Sequence, residues 1–266
     1  MREKIKNCRR IVVKIGTSTL TYENGNLNLS RIEKITQVLS DILNSGREVV
    51  LVTSGAVGVG ASKLNYKEKP TSVREKQACA SVGQAILMNI YSKLFGEFGY
   101  SVGQILLTKD ILDNEIRTKN VSNTFETLIN QKVIPIVNEN DSISSAEIEN
   151  IQRFGDNDNL ASIVSTLCYA DLLIILSDID GFYDKNPKNN PDAKLIEEVK
   201  EITLDMEKSA EGAGSEFGTG GMATKIQAAK IATSNGCNMI IANGENSHLI
   251  TQILNGENIG TLFVAK

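Results

Sequence analysis

The sequence predicts an α/β protein, built as a three-layer α/β/α sandwich with a mainly parallel central sheet. Short β-branched runs alternate with longer amphipathic stretches along all 266 residues. A first strand–helix–strand unit is complete by residue 55, which favours parallel strands joined by a right-handed crossover. No internal repeat or low-complexity linker divides the chain, so we expect a single domain over residues 1–266.

The first strand–helix–strand unit can be followed residue by residue. Residues 9–15, RRIVVKI, are a β-branched run that predicts a buried strand. Residues 30–46 carry apolar side chains at helical spacing, and the S-x-x-E pattern of Ser30 and Glu33 predicts the cap of that helix. Residues 47–55, REVVLVTSG, predict the second buried strand.

The same alternation continues to the last residues of the sequence. Further strands are predicted at 101–108, 132–141, 172–178, 238–242 and 261–265. Further helices are predicted at 74–98, 156–170, 222–236 and 247–254, with another helical stretch between the strands 101–108 and 132–141. The polar segment 188–203 contains a short LIEEV run and predicts a strand pair outside the main sheet.

Composition and charge exclude several classes of protein. Hydrophobic residues make up 41% and charged residues 23% of the chain, which is typical of soluble globular proteins. The net charge is −4, so we expect no broad basic face, and neither nucleic acid nor a membrane as partner. The N-terminal apolar run is too short for a signal peptide, and no stretch is long enough to cross a bilayer. A cytoplasmic protein is therefore predicted.

The rare residues restrict the chemistry further. The four cysteines are scattered and form no CxxC pair, so we expect them to be reduced and buried. The single histidine, His248, follows Asn246 and Ser247 at a predicted helix start and is interpreted as a solvated helix residue. Catalysis must then depend on Lys, Asp, Asn, Ser, Thr and backbone groups. Phosphoryl transfer suits such a set, because it needs positioning and charge more than covalent chemistry.

Polar and glycine-rich stretches follow the predicted strands, where open α/β sheets bind their ligands. Taken singly, each stretch allows a plain turn or a helix cap: SGAVGVG lacks the GxGxxG spacing, and GTGGMATK lacks the GK[ST] of a P-loop. Lys14, at the end of an apolar strand, either extends out of the sheet or meets an anion. Two lysines at glycine-bearing sites, Lys14 and Lys225, together suit a polyphosphate facing a second polar ligand.

Six motifs, in this order and at these separations, carry a family resemblance: VVKIGTS, TSGAVGVG, NENDS, FGDND, LSDIDGFYDKNP and GTGGMATK. The chain resembles the amino acid kinase superfamily and, within it, the glutamate 5-kinase family. The resemblance implies the amino acid kinase fold and ATP-dependent phosphorylation of the γ-carboxylate of L-glutamate to L-glutamyl 5-phosphate. That reaction is the first step of proline biosynthesis.

The resemblance also implies roles for individual residues. Lys14 matches a lysine on the ATP phosphates, Lys225 a second lysine on the transferred group, and Asp158 an aspartate that holds both lysines. The glutamate-binding residues are matched by Ser54, Asp141 and Asn157. Ser54 and Asn157 are expected to orient the carboxylates of glutamate, and Asp141 to pair with its α-ammonium. The nucleotide-binding residues are matched by Lys14, Gly16, Thr17, Ser177, Asp178, Thr219, Gly220, Gly221, Met222, Ala223, Thr224 and Lys225.

Ligands and partners follow from the same resemblance. ATP and Mg²⁺ are the implied cofactors, although the metal ligands stay open, and proline is the implied feedback inhibitor. A homo-oligomer is implied, as is passage of the product to glutamyl phosphate reductase. The glutamate-binding part is placed at about 1–165 and the nucleotide-binding part at about 166–266, in the short form without a PUA domain.

Two alternative functions stay open from the sequence. One is another small carboxylate or carbamate kinase of the same superfamily. The other is a non-catalytic regulator that binds a nucleotide or an amino acid. The presence of both Lys14 and Lys225 argues against the regulator, because simple binding has less need of two charges on one phosphoryl group.

Overall fold

The computed structural model describes residues 1–22, 26–143, 157–187, 189–211 and 221–266. The strands in these ranges are β1 Arg10–Ile15, β2 Glu48–Val52, β3 Val102–Leu107, β4 Ile134–Glu139, β5 Leu172–Ser177, β6 Glu198–Val199, β7 Asn238–Asn243 and β8 Thr261–Phe263. The α-helices are α1 Arg2–Ile5, α2 Thr17–Leu20, α3 Leu29–Asn44, α4 Ala56–Lys63, α5 Val73–Glu97, α6 Glu115–Asn130, α7 Asn157–Leu167, α8 Leu204–Glu211, α9 Met222–Ser234 and α10 Leu249–Leu254. A 3₁₀ helix covers Lys109–Asp113.

The described strands form one sheet in the order β3-β4-β2-β1-β5-β7-β8-β6. The first six strands in that order are parallel, whereas β8 is antiparallel to β7 and β6 is parallel to β8. The predicted mainly parallel sheet is therefore confirmed. Strand β1 lies at its centre, between β2 and β5, as expected for the first strand of a doubly wound sheet.

The predicted strand pair outside the main sheet is wrong. Glu198 and Val199 pair with Leu262 and Phe263, which makes β6 the edge strand of the same sheet. Val199 is almost completely buried there, against the core that contains Phe263. Burial of this one side chain accounts for the edge position of an otherwise polar segment.

Two helix layers cover the two faces of the sheet, as the three-layer prediction required. Val13 and Ile15 face the core that contains residues of α3, α5 and α10, whereas Val12 faces the core formed by α6, α7 and α9. Side chains alternate along a strand, so Lys14 lies on the same face as Val12. The lysine is thereby directed towards the layer of α7 and α9.

The N-terminal cap predicted for the first long helix is displaced by two residues. Helix α3 begins at Leu29, and the side chain of Asn28 accepts a hydrogen bond from the Arg31 amide at 3.1 Å. Ser30 therefore lies inside the first turn instead of capping it. Asparagine is as good a cap as serine, so the earlier of the two residues takes the position.

Two glycines bring α4 and α5 into close backbone contact. A Cβ atom on Gly83 would lie 1.9 Å from the carbonyl oxygen of Ala56, and one on Gly60 would lie 1.8 Å from that of Cys79. Neither position can hold a side chain without moving a backbone. The middle of α5 is thereby held against the start of α4, close to the end of β2.

The rare residues lie where the sequence predicted them. All four cysteines are free and buried, and burial raises the pKa of Cys237 to about 12 and that of Cys8 to about 11. Their thiolate forms are disfavoured at neutral pH. His248 is exposed and immediately precedes α10. In the described ranges, none of the helices has both the length and the apolar character that crossing a bilayer would require.

Candidate active site

Lys14 places an ammonium group inside the protein, at the carboxyl end of the central strand β1. The residue is only 2% exposed, and its Cα pairs in register with Val52 of β2 and Ile175 of β5. Its Nζ lies 2.6 Å from Oδ1 of Asp158. A buried ammonium is costly unless it is paired, and this carboxylate provides the pair.

Asp158 joins Lys14 to a second buried lysine. It is the second residue of α7 and is completely buried, and its Oδ2 lies 3.0 Å from Nζ of Lys225 in the first turn of α9. A carboxylate in the first turn of a helix is favoured by the helix dipole. The hydroxyl of Thr224 lies 3.4 Å from Oδ2, although its shorter hydrogen bond, at 2.8 Å, goes to the Gly221 carbonyl. Three elements, β1, α7 and α9, therefore meet at one carboxyl group.

The lysine–aspartate–lysine cluster brings two ammonium groups to one carboxylate, in a region where solvent screens little. Helix α9 begins after Gly221, an N-cap residue that has no side chain to bond the first amide groups. Amides at a helix start and buried cationic groups both attract anions, so the arrangement suits a phosphoryl group.

The turns after β1 and β2 lie beside the cluster. A Cβ on Gly16 would be 3.5 Å from Nζ of Lys14, so the backbone after β1 passes close to the ammonium. Gly55, after β2, has φ of +87°, and a Cβ there would contact Thr17 at 3.5 Å. A glycine in this left-handed conformation allows the chain to turn directly into α4.

A second polar cluster surrounds the side chain of Asn157, the first residue of α7. Its Nδ2 lies 2.5 Å from the carbonyl oxygen of Thr53, 2.8 Å from Oδ1 of Asn138 and 3.0 Å from Oγ of Ser54. Asn138 in turn donates from Nδ2 to Oε1 of Gln84, at 2.9 Å. The ends of β2 and β4 are thus joined to the start of α7 and the middle of α5 by amide hydrogen bonds.

The residues at the carboxyl end of β5 form a separate polar group. Ser177 is buried and its hydroxyl donates to Oδ1 of the exposed Asp178, at 3.1 Å. The amide of Gly244, after β7, donates to the Ser177 carbonyl at 2.7 Å. Because β5 is the neighbour of β1 in the sheet, this group lies on the side of Lys14 away from β2 and β4.

The residues expected at the site lie along the carboxyl edge of the sheet. Lys14, Asp158 and Lys225 are in direct contact, and Ser54 and Asn157 form a second contact. Asp141 is half-buried in the turn that follows β4. Helix α9 has Gly221 as its N-cap and begins with Met222 and Ala223. Thr219 and Gly220 lie outside the described residues.

Three residues of the amide cluster had no role assigned from the sequence: Thr53, Asn138 and Gln84. Asn138 stood in the polar stretch after the predicted fourth strand but without a function. Gln84 is the clearer omission, since it is a buried polar residue in the apolar stripe formed by Ala80, Leu87 and Tyr91 of α5. Helical spacing alone shows that Gln84 interrupts this apolar stripe, so its unusual position could be read from the sequence.

A mainly parallel α/β/α sandwich with a buried cationic cluster at helix starts defines a phosphate-binding α/β protein of the kinase type. The model of the amino acid kinase family matches residues 9–243, and the chain belongs to this family. The resemblance carried by the six motifs is thereby confirmed.

Individual relatives agree with the family match. The chain is 63% identical to a protein from Clostridium perfringens named glutamate 5-kinase, over 100% of this chain and 99% of that protein. It is 54% identical to a glutamate 5-kinase from Listeria monocytogenes, over 100% and 96% of the two chains. Among solved structures, UMP kinase from Ureaplasma parvum has a TM-score of 0.64 at 13% identity, covering 96% of this chain and 98% of that one. This last similarity concerns the fold alone.

Proposed function

We propose that the protein transfers the γ-phosphoryl group of ATP to the γ-carboxylate of L-glutamate, forming ADP and L-glutamyl 5-phosphate. The observation that carries the proposal is the buried cluster of Lys14, Asp158 and Lys225. The names of the relatives, 63% and 54% identical over the whole chain, support glutamate as the acceptor. The family resemblance implies that this reaction is the first step of proline biosynthesis.

The chemistry requires little more than charge and alignment. The γ-carboxylate is already a nucleophile, so no general base is needed, in keeping with the exposed position of the single histidine. The phosphoryl group carries dispersed negative charge in the transition state. Lys14 offsets the negative charge of the ATP phosphates, and Lys225 contacts the transferred phosphoryl group. Asp158 holds both ammonium groups in place. Fixed donors of this kind need no reorganisation at the moment of reaction.

The nucleotide site is proposed at the end of β1 and across the strands that follow it. Gly16 and Thr17 adjoin Lys14, Ser177 and Asp178 follow β5, and the amides after Gly221 begin α9. Thr219 and Gly220 complete the proposed nucleotide-binding residues. Residues from about 166 onwards would then bind mainly ATP, and the preceding residues mainly glutamate.

Mg²⁺ is proposed to enter with ATP. In the described part of the chain, no group of three or more His, Cys, Asp or Glu side chains could hold a metal ion. Asp158 is engaged by two ammonium groups and is unsuited to a cation. Mg²⁺ commonly keeps several waters and binds through substrate phosphates with one or two carboxylates. Mg²⁺ would then be held mainly by the ATP phosphates, where it would neutralise their charge.

The glutamate site is proposed around the amide cluster, with a revised role for Asn157. Its Nδ2 is used by protein oxygens, and no donor among the described residues contacts its Oδ1. This carbonyl oxygen suits the α-ammonium of glutamate better than a carboxylate. Ser54 donates to no described residue, so its hydroxyl can serve a substrate carboxylate. Asp141 supplies the negative charge for the α-ammonium.

Asp141→Asn should raise the KM for glutamate about ten- to a hundredfold. A charge-assisted hydrogen bond contributes roughly 1.5–3 kcal/mol, and each 1.4 kcal/mol is about tenfold in binding. The KM for ATP should barely change, because the nucleotide lies on the Ser177 side. N-acetylglutamate lacks the ammonium and should be a very poor substrate of the wild type. An unchanged glutamate KM, or an equal loss for ATP, would assign Asp141 to the structure of the turn.

The proposed reaction is tested by ADP release on the purified protein with four acceptors. Glutamate should support turnover, whereas aspartate, N-acetylglutamate and carbamate should not. Preference for one of the other acids would establish the alternative, a different carboxylate or carbamate kinase of the family. ATP binding without turnover on any of the four would favour a non-catalytic regulator.

Proline should inhibit competitively with glutamate. Both molecules present an α-carboxylate beside a nitrogen cation, so Asp141 and Ser54 can contact either. Initial rates at several proline concentrations should therefore show a rising glutamate KM with an unchanged kcat. A saturating proline concentration that leaves the rate unaltered at low glutamate would disprove this regulation.

Two further proposals rest on the family resemblance. We expect the protein to be a homo-oligomer, which light scattering on the purified chain would measure. We also expect its product to be consumed by a glutamyl phosphate reductase. An acyl phosphate is a reactive anhydride that water destroys, so rapid use by a reductase would protect it.

A further inference from the structure

The orientations of three side-chain amides are fixed by backbone groups. The Glu139 amide can only donate, and it lies 2.9 Å from Oδ1 of Asn138. The Thr53 carbonyl can only accept, and it faces Nδ2 of Asn157. Asn138 must therefore donate from Nδ2 to Gln84, which accepts through its Oε1. An exchange of oxygen and nitrogen in any of these amides would set donor against donor or acceptor against acceptor.

This chain of hydrogen bonds leaves one buried donor unused. Gln84 is 7% exposed, and its Nε2 has no hydrogen-bond partner among the described residues. A buried amide nitrogen without an acceptor costs free energy, because its hydrogen bond to water is lost and not replaced. An unsatisfied buried group in a native protein calls for an explanation, and a ligand that the group contacts is one.

Gln84 is located at the glutamate site by three contacts. Its Oε1 bonds Asn138 at the end of β4, and Asn138 bonds Asn157, which contacts Ser54. The preceding residue, Gly83, is pressed against Ala56, two residues after Ser54. Side chain and backbone thus both hold Gln84 beside the turn after β2.

We propose that Gln84 binds the substrate, with its Nε2 donating a hydrogen bond to the α-carboxylate of glutamate. The inference rests on the proposed function and names the end of the substrate involved. The γ-carboxylate must lie at Lys14 and Lys225, on the face of the sheet covered by α7 and α9. Gln84 belongs to α5, which covers the opposite face, so the far end of the substrate reaches it. Nε2 is a donor and therefore takes a carboxylate, not the ammonium.

The test compares glutamate with 4-aminobutyrate, which retains the γ-carboxylate and the amine but lacks the α-carboxylate. In Gln84→Met, the glutamate KM should rise about ten- to a hundredfold, as for loss of one hydrogen bond to a charged group. The affinity for 4-aminobutyrate, as acceptor or as competitor of glutamate, should change less than twofold. The KM for ATP should also stay within about twofold.

Gln84→Glu separates binding from positioning. It keeps an oxygen for Asn138 but replaces the donor by a negative charge, so glutamate binding should fall at least as far as in Gln84→Met. If Gln84 only oriented Asn138, this variant would keep a wild-type glutamate KM, and the proposal would fail. The Glu variant also decides the matter if the Met variant does not fold.

Gln252→Met is the matched control. Gln252 is a half-buried glutamine on α10, away from the amide cluster, and its Nε2 donates to Glu257 at 2.9 Å. Its kinetics should equal those of the wild type. An equal loss for glutamate and 4-aminobutyrate in the Gln84 variants would overturn the assignment to the α-carboxylate. Wild-type protein that releases no ADP with glutamate would instead refute the proposed function, and this inference with it.

Discussion

Lys14→Met and Lys225→Met should each lower kcat for glutamate phosphorylation by about 10²–10³. That is the usual loss when one preorganised donor to developing transition-state charge is removed. Methionine retains an unbranched side chain of similar length, so the packing around β1 and α9 changes little. The KM for glutamate should change much less than kcat, because the substrate is held mainly by the amide cluster. Steady-state kinetics with both substrates varied would measure the two constants.

Lys230→Met provides the matched control on the same helix as Lys225. Its ammonium pairs with Glu207 at 2.8 Å but is 49% exposed, on the outer side of α9. Its kcat should equal that of the wild type. A Lys14 or Lys225 variant that turned over like Lys230→Met would remove that lysine from the proposed mechanism. A rise in KM without a fall in kcat would assign the lysine to ground-state binding.

Asp158→Asn should lower the free energy of unfolding by about 3–5 kcal/mol. Removal of one partner from a buried ion pair is strongly destabilising, and here a single carboxylate contacts two buried ammonium groups. Urea unfolding followed by circular dichroism would measure the change. ATP should restore part of the loss, because its phosphates bring back negative charge beside the lysines. Turnover should also fall, since the ammonium groups would no longer be held in place.

Asp192→Asn is the control for a surface ion pair. Asp192 lies 2.6 Å from Lys185, but both side chains are largely exposed, at 72% and 47%. Such pairs contribute about 0–1 kcal/mol, because water and salt screen them. An Asp158→Asn protein as stable as Asp192→Asn would show that the buried cluster tolerates the loss of its carboxylate. The two lysines would then have to be stabilised by other groups.

The alternation of strands and helices was predictable because the spacing of hydrophobic residues within each segment indicates its secondary structure. The long helix α5 and the strands β1, β2 and β5 were found to within a few residues. The edge strand β6 was misplaced, because its two residues carry almost no signal and their partner β8 lies far along the chain. The cap of α3 was misplaced because Asn28 and Ser30 are both good caps and local propensity cannot choose between them.

The candidate site was predictable as a set of residues but not as a geometry. The motifs pointed to Lys14, Asp158 and Lys225 through a family resemblance. Their contact depends on α7 and α9 packing on one face of β1, which no local pattern reports. Gln84 was missed for a different reason: its significance is an unused amide nitrogen, and that is visible only once Asn138 has been placed opposite its oxygen.

The three charged residues belong to segments that are synthesised at different times, and this order determines when the site is complete. Lys14 and Asp158 form a neutral pair that needs only β1 and α7, both of which leave the ribosome before α9. The second ammonium reaches this carboxylate only when α9 has docked. A nascent chain that lacks α9 therefore has only one of the two ammonium groups proposed to contact a triphosphate. The proposed phosphate site is completed late, when the segment that carries α9 docks against a sheet that already contains the first lysine.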